Sequence, residues 1–179
     1  MTFQAIFHSV LSAIEQSGVK AVMIGGLAVN HYGYSRATAD IDFMIVASDA
    51  ANIRRTMTGY GFVNVDEREN VIFFSQPGQP VRVDFLRVDH NTMMKLLDDA
   101  QSVEFQGRLV MVPSVSNLIA MKLFALKQSW DRRMAKDLPD IVTLARIHEL
   151  DPEQNIKPLA LQFADEFIYQ QVVKNLAAQ

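Results

Sequence analysis

At the N-terminal end of the chain Phe3, Ile6, Phe7, Val10, Leu11 and Ile14 recur at three- and four-residue spacing. That spacing places them on one face of a helix and predicts that the face packs on a sheet. Gly18 is suited to end this helix. "VKAVMIGG" then reads as a short buried strand running into a glycine pair, and "LAVNHYG" has the length of two helical turns closed by Gly33. After a loop comes the strand "DIDFMIV", and "DAANIRRTMTGYG" reads as a helix with Asp49 near its start and glycines at its end. "FVNV" and "NVIFFS" look like strands. Pro77 and Gly78 suit a tight turn, from which "VRVDFLRV" returns as the second arm of a hairpin. "SVEFQGRLVMV" predicts another hairpin, turning near Gly107. From Ser114 onward the spacing is helical: "SVSNLIAMKLFALKQ", "RRMAKDLPDIVTLARIH", and a weaker segment containing "LALQFADEFI".

Composition narrows this picture. With 179 residues the chain suffices for one well-buried domain with a small helical appendage and is short for two ordinary ones. Apolar residues make up 49% and charged residues 21%, a globular balance that argues against disorder or a fibrous repeat. A net charge of −3 argues against bulk nucleic-acid binding and leaves room for a local basic patch. The absence of cysteine excludes disulfides, thiolate zinc sites and a cysteine nucleophile. The N-terminal segment has no basic leader, and no apolar run reaches membrane-spanning length. The expectation is a soluble, cytoplasmic protein.

Candidate chemistry begins at "DIDF". Side chains alternate along a strand, so Asp40 and Asp42 share one face while Ile41, Phe43 and Ile45 share the other. Two close carboxylates repel unless a cation lies between them, and magnesium, which prefers oxygen ligands, is the simplest such cation. A solvated pair at a strand start explains Asp40 and Asp42 equally well when they are taken alone. "VRVDFL" adds Asp84 inside another apolar strand, so three carboxylates converge where that strand neighbours "DIDF". A cluster of this kind suits two metal ions roughly 4 Å apart, with Asp84 as general base or bridging ligand. The alternative for Asp84 is an edge-strand charge near Arg82 or Arg87. Gly25 and Gly26, at a strand end and helix start, allow backbone N–H groups to approach a phosphate. Arg36 could meet a phosphate with its fork of donors and Thr38 could fix the loop, although each also reads as structural. Tyr32 and Tyr34 flank Gly33 and are candidates for stacking on a base, with loop packing the plainer role. The histidines His8, His31, His90 and His148 lack metal-ligand spacing.

Together, Gly25-Gly26, the Asp40-x-Asp42 pair and Asp84 resemble the signature of the nucleotidyltransferase superfamily, the polymerase-beta-like fold. "GGLAVNHYGYSRATADIDF" is similar to the branch that holds the AbiEii-type toxins, and "VPSVSNLIAMKLFALKQSWDRRMAKDLPDI" is similar to that branch's helical tail. The resemblance covers roughly residues 20 to 147. It implies an α+β fold in which a mixed, mostly antiparallel sheet packs with helices. The catalytic core would span residues 1–112, and a helical C-terminal extension, 113–179, would pack on it. It also implies a metal-dependent enzyme using Mg2+ or Mn2+ and an NTP, with Asp40, Asp42 and Asp84 as catalytic metal ligands. Gly25, Gly26, Arg36, Thr38, Lys122 and Asp137 would contact the nucleotide, and Lys136 and Asp140 would complete the second element. Lys122 equally fits a snorkelling lysine at the edge of an apolar helix face, and Asp137 and Asp140 fit solvated or salt-bridged carboxylates.

The implied reaction moves a nucleoside monophosphate to a hydroxyl of a tRNA end, a protein side chain or a small molecule. A separately encoded antitoxin is the implied partner. The second hairpin and the helical tail each offer a surface for a homodimer. The rival from another class is a nucleotide-binding or protein-interaction module that keeps the fold without turnover. A metal-dependent phosphohydrolase would need histidines near the carboxylates, and the sequence does not put them there.

Overall fold

Helix α1, Phe3–Ser17, opens with Thr2, whose hydroxyl accepts from the Ala5 amide at 3.2 Å, and buries Ile6, Phe7, Val10, Leu11, Ala13 and Ile14. Gly18 ends it in the left-handed region at φ 69°, its N–H donating to the Glu15 carbonyl. The computed structural model describes residues 2–178. After α1 come β1 (Val22–Ile24), α2 (Gly25–His31), β2 (Asp40–Val46) and α3 (Ala50–Gly59). They are followed by β3 (Val63–Arg68), β4 (Val71–Ser75), β5 (Arg82–Val88) and α4 (His90–Asp98). The hairpin β6 (Gln101–Phe105) and β7 (Arg108–Val112) precedes α5 (Val115–Gln128), α6 (Trp130–Ile147), α7 (Lys157–Phe163) and α8 (Glu166–Ala177). The weak C-terminal helical signal thus resolves into α7, entered through a π turn at Pro152–Ile156, and α8, capped by Asp165.

The described residues form two compact units, 2–28 with 36–113 and 29–35 with 114–178, so α2 starts in the first and finishes in the second. The first unit is built on a seven-stranded sheet of order β3-β4-β5-β2-β1-β7-β6. Among the described residues only the β2–β5 and β1–β7 neighbours run parallel. The fold is therefore mixed α+β with a mostly antiparallel sheet.

The alternation expected for "DIDFMIV" and "VRVDFL" is realised at the β2–β5 seam. Ile41 lies beside Val83 and Phe43 beside Phe85 on one face, all essentially buried. The Phe43 and Phe85 rings stack at 5.8 Å, and Phe74 of β4 meets Phe85 edge-on at 5.9 Å. The outer strand β3 is exposed along its length and carries an irregularity between Asn64 and Asp66 that shifts its register against β4.

In the second unit Leu118, Ile119 and Leu123 of α5 and Leu138, Ile141 and Leu144 of α6 are buried, whereas Phe124, Met134 and Ile147 are exposed. Ser114 caps α5 by accepting from the Asn117 amide at 3.2 Å. Lys127 donates to the Ala164 carbonyl at 2.8 Å, and Arg146 donates to the carbonyls of Asn175 and Leu176 near the end of α8. Among the described residues no helix is long and apolar enough to cross a membrane.

Candidate active site

The register that buries the phenylalanines brings polar residues together on the opposite face of the same strands. Asp42 lies beside Asp84 and Asp40 beside Arg82. Because β5 sits between β4 and β2, Asp84 belongs to an interior strand, and its side chain is only 7% exposed. An edge-strand charge is therefore ruled out for it. Its partner is Arg82, whose Nε donates to Oδ1 at 2.7 Å and whose Nη2 donates to Oδ2 at 2.9 Å. The same Nη2 donates to Asp40 Oδ2 at 3.2 Å, and the guanidinium lies 5.0 Å from the centre of the Phe73 ring. Arg87, the other cation considered beside Asp84, is occupied elsewhere: it donates to Glu67 and to the carbonyls of Arg68 and Glu69.

Two in-plane bonds make the Arg82–Asp84 pair a bidentate fork, the stronger type of charge-assisted contact. The hydrogen bond to Asp84, reinforced by the charges of Asp84, Asp40 and Asp42, holds the guanidinium protonated above even the usual arginine range, against the opposing effect of partial burial. The guanidinium thus bonds Asp84 and Asp40 directly, and the charge of Asp42 acts on it as well.

The glycine corner abuts the same place. Gly25 has φ 66°, and a Cβ built there would lie 2.7 Å from the Asp42 carboxylate carbon. A side chain at this position would therefore drive into Asp42, which follows from the pairing of Ile24 with Asp42. At Gly26 an added Cβ would sit 2.6 Å from Thr38 Oγ1 and 3.3 Å from Arg36 Nη1. Thr38 donates to the Asp40 carbonyl at 3.5 Å, and Arg36 donates to the Ala37 carbonyl at 3.3 Å. Gly25, Gly26, Arg36, Thr38, Asp40, Asp42 and Asp84 are thus drawn into one neighbourhood of the first unit.

Lys122, Asp137 and Asp140 form a separate cluster within the second unit. The Lys122 ammonium lies 3.0 Å from Asp137 Oδ1 and 2.5 Å from Asp140 Oδ2. All three are buried, and Arg133 adds a contact to Asp137 at 3.3 Å. The i,i+3 spacing of the aspartates on α6 makes this possible by turning both toward α5. Lys122 therefore does not snorkel, and Asp137 and Asp140 are salt-bridged and not solvated. Lys136, expected beside this pair, is exposed. Tyr32 is packed edge-on against His31 and His148 at ring distances of 5.0 and 5.5 Å, and its carbonyl lies 3.1 Å from His148 Nε2, which is the loop-packing role.

The family model described as "Nucleotidyl transferase AbiEii toxin, Type IV TA system" matches residues 9–172. The chain belongs to the AbiEii nucleotidyltransferase family. Among solved structures this AbiEii family member is similar to ANT(2″)-Ia in complex with adenylyl-2″-tobramycin, with TM-score 0.72 and 13% identity over 93% of this chain and 99% of that one. It is also similar to the lincomycin-bound lincosamide antibiotic adenylyltransferase LnuA, with TM-score 0.59 and 16% identity over 82% and 98% of the two chains. A third likeness is to an antigenic nucleotidyltransferase-like protein from Paracoccidioides brasiliensis, with TM-score 0.57 and 19% identity over 94% and 84%. At such identities these likenesses speak for the fold. No curated sequence matches the chain.

Nucleotidyltransferases use NTPs and generally divalent metals. Three carboxylates on one sheet face supply the hard oxygen ligands that magnesium or manganese takes. Arg82 already stands between two of them as a resident cation. Among the described residues no group of three or more His, Asp or Glu is gathered so as to hold a metal ion. The donor chemistry fits the metal, provided that the side chains around Arg82 turn. Arg82 is the residue that sequence reasoning undervalued. Its signal was the alternation Arg82-Val83-Asp84 read against the pairing with Asp40.

Proposed function

We propose that the protein transfers a nucleoside monophosphate from an NTP to an acceptor hydroxyl, using Asp40, Asp42 and Asp84 with Mg2+ or Mn2+. The observation that supports this most directly is the β2–β5 register, with Asp42 beside Asp84 and Asp40 on the same face. In this reading the acceptor oxygen bonds to the α-phosphorus, the bond from that phosphorus to the α–β bridging oxygen breaks, and pyrophosphate leaves. Asp84 takes the proton of the acceptor hydroxyl. Asp40 and Asp42 hold the metal, which when bound supplies positive charge against the phosphates. Gly25 and Gly26 keep the corner beside Asp42 open, and Arg36 offers its fork to the triphosphate, with Thr38 fixing the loop that carries them both toward β2. We assign Lys122 and Asp137 to holding α5 against α6, because Lys122 would reach a phosphate only by leaving two buried carboxylates.

The family's description supports a toxin role, with an antitoxin as partner. A small molecule is one candidate acceptor, since ANT(2″)-Ia shares the fold and is described with adenylyl-2″-tobramycin; a tRNA end and a protein side chain are the others. Purified protein incubated with each labelled NTP, magnesium or manganese and cellular RNA, protein or aminoglycoside is expected to yield labelled product and pyrophosphate. Asp42→Asn should lower that yield by about 100-fold or more. The Arg82 fork on Asp84 favours a second reading, a nucleotide-binding module without turnover. That reading expects nucleotide binding and no label transfer, in wild type and variant alike.

A further inference from the structure

We infer that Arg82 is a resident counter-ion that stands where Asp84 and Asp40 would ligate a divalent cation, and that it must release both before such a cation can bind. The inference rests on the metal-dependent reading above. Asp84 has both oxygens engaged by the Arg82 fork, at 2.7 and 2.9 Å, and Asp40 takes a third bond from the same guanidinium at 3.2 Å. A cation ligated by these two carboxylates would stand where the guanidinium stands. Two positive groups at that separation repel, so occupancy by one excludes the other.

The mobile partner of this exchange is identified by exposure. The Arg82 side chain is 47% exposed, whereas that of Asp84 is 7% exposed and is held in the middle of the sheet. Arg82 also has a second resting surface in the Phe73 ring, which attracts a guanidinium without any carboxylate. Leaving Asp84 therefore does not leave the arginine without a favourable contact. Free divalent ions compete with a tethered guanidinium at high local concentration and bind weakly. A metal arriving with an NTP brings phosphate oxygens that accept the released fork, and the exchange becomes favourable. The expected behaviour is that metal and nucleotide load together, with little binding of either metal alone.

The test is a calorimetric titration of Mn2+ alone into wild type, Arg82→Gln and Arg82→Lys, with a thermal melt of each protein in chelator. Arg82→Gln is expected to bind Mn2+ about tenfold tighter than wild type, the size set by removing hydrogen bonds to a charged group. Its metal-free melting temperature should fall by about 3 °C or more, because the carboxylates lose their counter-ion, and Mn2+ should restore it. Arg82→Lys keeps the charge and loses the fork, and is expected to tighten Mn2+ binding to a smaller extent; it carries the test should Arg82→Gln not fold. Mn2+ affinity that is unchanged or weaker in both variants overturns the inference and makes Arg82 a clamp that orients Asp84. Absence of Mn2+ binding in all three proteins even with NTP present overturns the metal-dependent reading itself, and this inference with it.

Discussion

At residue scale Gly25 is constrained for two independent reasons. Its positive φ disfavours any L side chain, and the space a Cβ would take belongs to Asp42. Gly25→Ala is expected to destabilise the fold by about 1–3 kcal/mol in urea denaturation. It should also lower nucleotide transfer far beyond that loss, since the displaced group is Asp42. A stability loss with full activity in the surviving folded protein would separate the glycine from the carboxylate. The sequence made the glycine pair and the aspartate pair legible through their spacing and through strand alternation. The closeness of Gly25 to Asp42 was not legible: the sequence suggests a corner that admits a phosphate, and only the β1–β2 pairing shows that a Cβ there would meet Asp42. Arg82 was equally obscured. Its bond to Asp40 joins residues 42 positions apart, and only the strand register brings them together.

At the scale of elements the α5–α6 pair depends on a buried charge cluster. Lys122→Met leaves Asp137 and Asp140 without the ammonium they share, and breaking such a pair costs about 3–5 kcal/mol. Circular dichroism during urea unfolding should report this as a lower midpoint, and a surface role for Lys122 would leave the midpoint unmoved. Helix α4 offers a pH-dependent case. Asp89 accepts from the Thr92 hydroxyl at 2.6 Å and from the Thr92 amide at 3.0 Å, and these bonds lower its carboxyl below the usual aspartate range. A depressed carboxyl stabilises the fold fully above the ordinary range, and that stabilisation is lost as pH falls through the folded value. The difference in urea midpoint between wild type and Asp89→Ala should therefore be clear at about pH 6 and shrink toward about pH 2. Most helices were legible from their periodicity, α1 above all. The split of the last segment into α7 and α8 was hidden, because their turn lacks glycine and proline and is marked only by Asp165, which caps α8.

At the scale of the whole molecule, binding should stabilise the fold by mass action. With NTP and Mg2+ at 100 times their apparent Kd, the gain is about 2.7 kcal/mol, and a chelator should abolish the metal-dependent part of the thermal shift. An identical shift with and without chelator would argue against metal-assisted nucleotide binding. Strand existence was legible across the sheet, but its order was not. The β2–β5 and β1–β7 pairs are parallel and join distant segments, which local patterning does not encode. The allocation of residues 29–35 to the helical unit was likewise invisible, because so short a stretch carries no periodicity of its own.

The irregular β3 border has a consequence for how copies of this protein meet at high concentration. A neighbour laid along that strand would lose step between Asn64 and Asp66 and would have to bring its backbone against Asp66, Glu67 and Arg68. Continuous sheet growth from molecule to molecule is disfavoured on that flank, where Val63 and Val65 are exposed.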